Sequence, residues 1–122
     1  KEQVTHLIDF EKDTLMDESS FDLAWSIEFL EHVFEKYQDN YMKCFQKAKY
    51  VFCTAAPPGK PGHHHVNCQW QEYWIEHIEA RGFNYAEEDS KEIRKLCTGT
   101  KQNNENGKHI NESGLFFIRK EK

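Results

Sequence analysis

Short apolar, strand-like runs alternate with helix-period segments along this 122-residue chain, and that alternation predicts an α/β domain on a mostly parallel sheet. Three observations carry the expectation. Residues 21–27 are apolar enough for a strand buried on both faces of a parallel sheet, and 50–55 (YVFCTA) read as a further strand. Residues 28–48 and 71–81 repeat their apolar positions at steps of three and four. Ala56-Pro57-Pro58-Gly59-Lys60-Pro61-Gly62 stops any regular element between them.

In chain order, residues 4–10 (VTHLIDF) have the β-branched and apolar content of a short strand. A polar stretch, 11–20, leads to the second strand at 21–27. In the helix expected over 28–48, Leu30, Val33, Phe34, Tyr37, Tyr41, Cys44, Phe45 and Ala48 mark the inner side. The strand at 50–55 ends in the Pro/Gly/His loop. The helix at 71–81 turns Trp74, Ile75 and Ile78 inward and meets Gly82 as its stop. A strand at 83–86, a short helix at 90–96, a polar Asn/Lys/Gly-rich loop over 98–113 and a last strand at 114–119 complete the order.

Composition bounds the function. The chain is 38% apolar, enough for one core and one domain spanning 1–122. Its net charge of −5 argues against affinity drawn mainly from phosphate neutralisation. No apolar run approaches the roughly 18 residues of a membrane span, so no membrane partner is expected. The chain begins at Lys1 with no apolar signal stretch, which reads as a piece of a longer protein. The four cysteines, at 44, 53, 68 and 97, have no C-x-x-C spacing; reduced, structural thiols and a cytoplasmic location are the expectation. Asn111-Glu112-Ser113 matches a glycosylation acceptor and is expected to be a polar turn.

The chemistry-bearing residues gather at the ends of the two central strands. On helical periodicity Glu28, Glu31, His32 and Glu35 share one face, opposite Leu30, Val33, Phe34 and Tyr37. Open α/β sheets place their ligands at this end. Acidic residues also suit the first turn of a helix because of its dipole, so a purely structural reading of Glu28 and Glu31 stands beside the functional one. His63-His64-His65, between Pro-Gly and Val-Asn, is either a solvated cluster or a source of metal ligands. Trp70, Tyr73 and Trp74 read as boundary packing, with a shelf for a planar substrate as the alternative.

The run FDLAWSIEFLEHV, followed by KYVFCTAAPPGKPGHHHVNCQWQEYWIEHIEARGFNY, resembles the second half of class I S-adenosylmethionine-dependent methyltransferases. The resemblance implies a partial Rossmann-like fold in which 4–10 matches the third strand, 21–27 the fourth, 50–55 the fifth, and 83–86 and 114–119 the last two. The final strand would run antiparallel. The N-terminal strands and glycine loop of that family have no counterpart: the six glycines form no G-x-G-x-x-G. The strand at 21–27 would then have a bare apolar edge open to self-association. The resemblance further implies S-adenosylmethionine as cofactor, with Asp9 and Phe10 beside its adenine and Ser26 and Ile27 beside its methionine part.

Within that family the Glu28-x-x-Glu31-His32 motif is similar to that of small-RNA 3′-end 2′-O-methyltransferases, which hold a divalent metal with such a motif and a later loop histidine. Carried over, Glu28, Glu31, His32 and His65 become the metal or proton-handling groups, with His64 second to His65. Two carboxylates and two imidazoles suit Mn²⁺, Fe²⁺, Co²⁺ or Zn²⁺. The motif also occurs in ubiquinone-pathway O-methyltransferases, so an RNA end, a sugar hydroxyl, a phenol or a small amine all stay open as acceptors. Two other classes stand beside the enzyme: a catalytically silent fragment acting as a protein-interaction module, and a small metal-binding domain using His63 to His65 with Cys68.

Overall fold

The structure, a computed structural model, describes residues 5–16, 19–97 and 105–121, with the backbone alone for 105–107. It is an α/β domain with a four-stranded mixed sheet in the order β1-β2-β4-β3. The elements are β1 (Phe21–Ser26), α1 (Gln38–Phe45), β2 (Ala48–Cys53), α2 (Gln71–Glu79), β3 (Phe83–Tyr85), α3 (Glu87–Leu96), α4 (Glu105–Ser113) and β4 (Leu115–Arg119). β1 and β2 pair in parallel, with Ala24 opposite Val51 and Ser26 opposite Cys53. β4 runs antiparallel to both β2 and β3, Val51 and Tyr85 each facing Phe117. Three strands therefore point one way and the last is inserted against them, the antiparallel last strand being the one that the resemblance implies.

The core lies on one face of the sheet. Val51, Cys53, Leu115, Phe117 and Phe83 meet Tyr41, Met42 and Phe45 of α1 and Trp74 and Ile78 of α2 in one buried cluster. The opposite face is filled by stacked rings, Trp25 on Phe52 at 5.0 Å and Tyr50 on Phe116 at 5.6 Å. Buried Ser90 ties α3 to this face: its Oγ donates to the Ala86 carbonyl at 2.7 Å and accepts from Phe116 N at 2.8 Å. Gly82 stops α2 as expected, with φ +100, a conformation that costs glycine least.

Four expectations need correction. Residues 5–9 form no strand, Val4 lies outside the described residues, and no counterpart of the family's third strand exists among them. Apolar content makes a strand only where a neighbour receives its backbone bonds; here Leu7 is fully exposed. The segment instead turns at Asp9, whose carbonyl accepts from Lys12 N and Asp13 N, and docks through Phe10. That ring packs on Phe29 and Tyr41, and the Phe10 carbonyl accepts from Asn40 Nδ2 at 2.6 Å.

The helix expected over 28–48 is broken into two short 3₁₀ turns, Leu30–His32 and Glu35–Tyr37, before α1. Val33 is extended, Phe34 has ψ 142, and Glu28 has φ +51. The competing interaction is tertiary. The Glu31 carbonyl accepts from Val66 N at 2.9 Å and Asn67 N at 3.1 Å, bonds to a distant loop in place of a helical one. Phe34, expected in the core, is left exposed.

The polar loop expected over 98–113 contains α4, residues 98–104 lying outside the described residues. Packing overrides poor helix propensity here: Ile110 is buried, and Asn111 Nδ2 donates to the Arg94 carbonyl at 3.0 Å. Finally, β1 is not buried on both faces. It has a neighbour on one side only among the described residues, and Phe21, Leu23 and Trp25 are all exposed. The bare edge is thus as expected, and its apolar face is barer still. No described helix is long and apolar enough to cross a membrane.

No disulfide joins the cysteines. Burial pushes the Cys53 thiol up to about 12 from its ordinary value. The unfolded chain therefore ionises this thiol first, and stability falls as pH rises through that interval. Native protein should leave Cys53 unlabelled by a small alkylating reagent at neutral pH and label it only in denaturant, as read by peptide mass spectrometry. Labelling of Cys53 as fast as Cys44 in native buffer would show the core packing to be wrong.

Candidate functional site at the carboxyl ends of the parallel strands

β1 and β2 end side by side, and Thr54 locks the segments that leave them. Its backbone N–H donates to the Ser26 carbonyl at 3.0 Å, and its Oγ1 accepts from Glu28 N at 2.9 Å. That second bond accompanies the left-handed backbone at Glu28, an uncommon conformation for a residue with a side chain. Three residues on, the bonds from Val66 and Asn67 to the Glu31 carbonyl bring the His-rich loop down onto the turn.

Glu31 is fully buried, and neither of its carboxylate oxygens has a hydrogen-bond partner. Burial pushes its carboxyl above the ordinary carboxylate range and the nearby Glu28 charge adds to this, while its own backbone N–H, His32 and His65 act the other way. His32 places Nε2 at 3.8 Å from Glu31 Oε2. The His32 and His65 rings lie 5.0 Å apart. His32 Nδ1 is 3.1 Å from the His64 carbonyl, and His65 Nδ1 is 3.0 Å from the Lys60 carbonyl. A carbonyl only accepts, so each Nδ1 carries a proton and each Nε2 is the ring nitrogen left over to face the cluster. A carbonyl holding Nδ1 in this way fixes the ring so that Nε2 can meet a metal.

One ligand atom from each of Glu31, His32 and His65 lies within 4.8 Å of the others, close enough for the three to be drawn onto one cation. A buried carboxylate with no donor, facing two oriented imidazole nitrogens, fits a divalent transition metal. Gly62 belongs to the same design, because a Cβ there would collide with the His65 ring. Of the triple histidine, His63 and His64 stay exposed; His64 adopts φ +56 and offers its carbonyl to His32. Cys68 does not belong to the cluster.

Glu28 parts company with this trio. Its carboxylate turns to His109 of α4, Oε1 standing 3.2 Å from Nδ1. The left-handed backbone removes it from the helical turn on which it shared a face with Glu31. His109 escaped the sequence reading because its segment has loop composition, and nothing in the periodicity marks it.

The four residues assigned to S-adenosylmethionine separate three to one. Phe10, Ser26 and Ile27 line one open groove of about 410 Å³ beside β1, with Phe29 and Tyr41. Asp9 does not line it; its carboxylate caps a turn by accepting from Glu11 N at 3.0 Å. The groove is largely apolar; among its lining residues Ser26 Oγ and Tyr41 Oη are buried without hydrogen-bond partners. Its walls carry no charged side chain, so the residues present fit one apolar side of a nucleoside-bearing cofactor and lack groups for its charged end.

Compared with known proteins, the chain matches no family model, no curated protein and no solved structure.

Glu31 has a cost in the metal-free protein that can be measured. Glu31→Met keeps the side chain's length and removes the buried polar oxygens, so it should stabilise the metal-free protein by about 1–3 kcal/mol. The gain should grow with pH. The native carboxyl holds its proton longer than the unfolded one, so wild type loses stability as pH rises through the raised native value. Urea unfolding in chelator at acid and neutral pH is the measurement. A variant less stable than wild type at both pH values would mean that Glu31 is satisfied in a way its contacts do not reveal.

Proposed function

We propose that this chain is the acceptor-side part of a class I S-adenosylmethionine-dependent methyltransferase that uses a divalent metal at Glu31, His32 and His65, transferring methyl to a hydroxyl or another small nucleophile. The observation that carries the reading is that trio: a fully buried carboxylate without partners, faced by two imidazoles whose Nδ1 protons are already committed. Its place at the carboxyl ends of parallel strands, and a last strand running antiparallel, agree with the resemblance carried by the Glu28-x-x-Glu31-His32 run.

On this reading the chain's residues divide the work. Lys60 and His64 hold the two imidazoles by their carbonyls, and Gly62 leaves room for the His65 ring. Phe10, Ser26 and Ile27 supply one wall for the cofactor. A divalent ion, when bound, supplies Lewis-acid activation of an acceptor oxygen. The work of the site is otherwise alignment of nucleophile and methyl carbon. The open edge of β1 is proposed as the place where a neighbouring strand pairs.

Calorimetric titration with Mn²⁺ and with Zn²⁺ tests the metal part. His65→Ala and Glu31→Gln should each weaken binding by about 10–100-fold or more, and Gly62→Ala should weaken it by displacing the ring. Equal affinity in all four proteins would end the metal assignment. The cofactor part is tested by titrating S-adenosylhomocysteine and following amide resonances. Shifts should centre on Phe10, Ser26 and Ile27. Metal binding with no such shifts would leave a metal-binding domain without methyl transfer.

A further inference from the structure

Glu28 and His109 open into a second space that the metal trio does not use. It is a cavity of about 330 Å³ between the end of β2, the start of α2 and α4. That volume lies at the lower end of the range for small-molecule sites, about 300–1,000 Å³. Apolar walls come from Leu30, Ala55, Pro57 and Leu115, and Trp70 and Trp74 add two indoles. Trp70 is 61% exposed although it opens the helix α2, so its ring is available at the mouth.

Charge decides what such a cavity holds. Lys60 is neutralised by Glu112 at 3.2 Å. Glu28 and Glu72 remain in the lining against His109 alone, so the space is negative even with that imidazole protonated. Glu28 is aimed by the chain itself, its backbone N–H fixed on Thr54 Oγ1. One of its oxygens meets His109, and the other, Oε2, is buried without a hydrogen-bond partner. A buried carboxylate oxygen left without a donor is costly, and a ligand N–H removes that cost. An accessible indole, that of Trp70, lining the same cavity as a carboxylate is also a combination that attracts organic cations.

We propose that this cavity binds a small organic cation, an amine whose N–H groups are received by the Glu28 carboxylate beside the exposed indole of Trp70. The amine's role as methyl acceptor rests on the methyltransferase reading; its binding does not. A free anion is repelled by the same lining, and a neutral alcohol gains nothing from the indole as a cation does.

The test uses the full chain and two probes of equal shape, benzylamine and benzyl alcohol, followed by the indole N–H resonances. Benzylamine should shift the Trp70 and Trp74 signals and spare Trp25, which stacks on Phe52 at the opposite face of the sheet. Glu28→Gln should weaken benzylamine binding by about tenfold or more, in proportion to a charge-assisted hydrogen bond. Trp70→Ala, an exposed position that leaves the core intact, should weaken it as well, and the alcohol should bind at least about tenfold more weakly than the amine. Equal binding of the two probes, no binding of either, or indifference to both substitutions overturns the proposal. S-adenosylhomocysteine titrated into the same samples separates the two readings. Amine binding lost with the cofactor response intact removes only the cation site. Amine binding without any cofactor response keeps the site and removes its role in methyl transfer.

Discussion

The bonds from Val66 and Asn67 to the Glu31 carbonyl organise the whole upper end of this domain. They pin the long loop after β2 onto the turn after β1, and in doing so they remove the carbonyl from any helical ladder. The turn is forced into a 3₁₀ segment, Val33 is extended, and the regular helix begins only at Gln38. Glu31 is carried under the loop and loses all contact with solvent. His65 is lowered to within reach of His32. Both imidazoles then find backbone carbonyls of the same loop, so the histidine orientations follow from the backbone contact rather than from the side chains.

Buried polar atoms without partners are rare in native proteins, and each asks for an explanation. Here most of them are gathered rather than scattered. Among the described residues, Ser26 Oγ, Glu28 Oε2 and both oxygens of Glu31 lie at or just past the carboxyl ends of the parallel strands and Asn67 Nδ2 in the loop bonded to that turn, while Trp74 Nε1 is on α2 and Tyr41 Oη on α1. The sheet, by contrast, is well satisfied: Ser90 serves both the Ala86 carbonyl and the Phe116 amide, and Arg94 Nε donates to the Gly114 carbonyl at 2.7 Å. Most of the unmet hydrogen-bonding capacity among the described residues thus sits at the end of the sheet that carries the candidate site. The orphan atoms divide into an apolar groove, a three-ligand cluster and a negative cavity, three neighbouring spaces with different chemistry.

What was legible in the sequence was the part governed by short-range rules. Apolar runs at 21–27 and 50–55 became β1 and β2 within two residues, because apolar and aromatic runs favour strands, although only β2 is central and β1 lies at the edge with an exposed face. Trp74 and Ile78 at helical spacing became the buried stripe of α2, and Gly82 ended it through its positive φ. Glu31, His32 and His65 were identified by residue type and position, and they do meet. Glu28 was grouped with them on helical periodicity, which failed because the helix does not form there.

The sequence by itself determined the α/β alternation, part of the element order after residue 20, most of the apolar core positions and the kinds of chemical group at the strand ends, since each depends on neighbours a few residues away. Only the tertiary structure decided which of those groups share a space. Whether residues 5–9 become a strand depends on a partner edge, and none receives them. Whether an Asn-rich stretch becomes α4 depends on Ile110 and Asn111 finding α3 and the core. The turn at Glu28 to His32 is the clearest case. Its periodicity favours a helix, but two hydrogen bonds from residues more than thirty positions away outweigh that preference and send Glu28 to His109 instead of Glu31. Local propensity is worth tenths of a kcal/mol per residue, about 0.7 at most for ordinary residues, and a buried carbonyl left without its bond costs about 1–3.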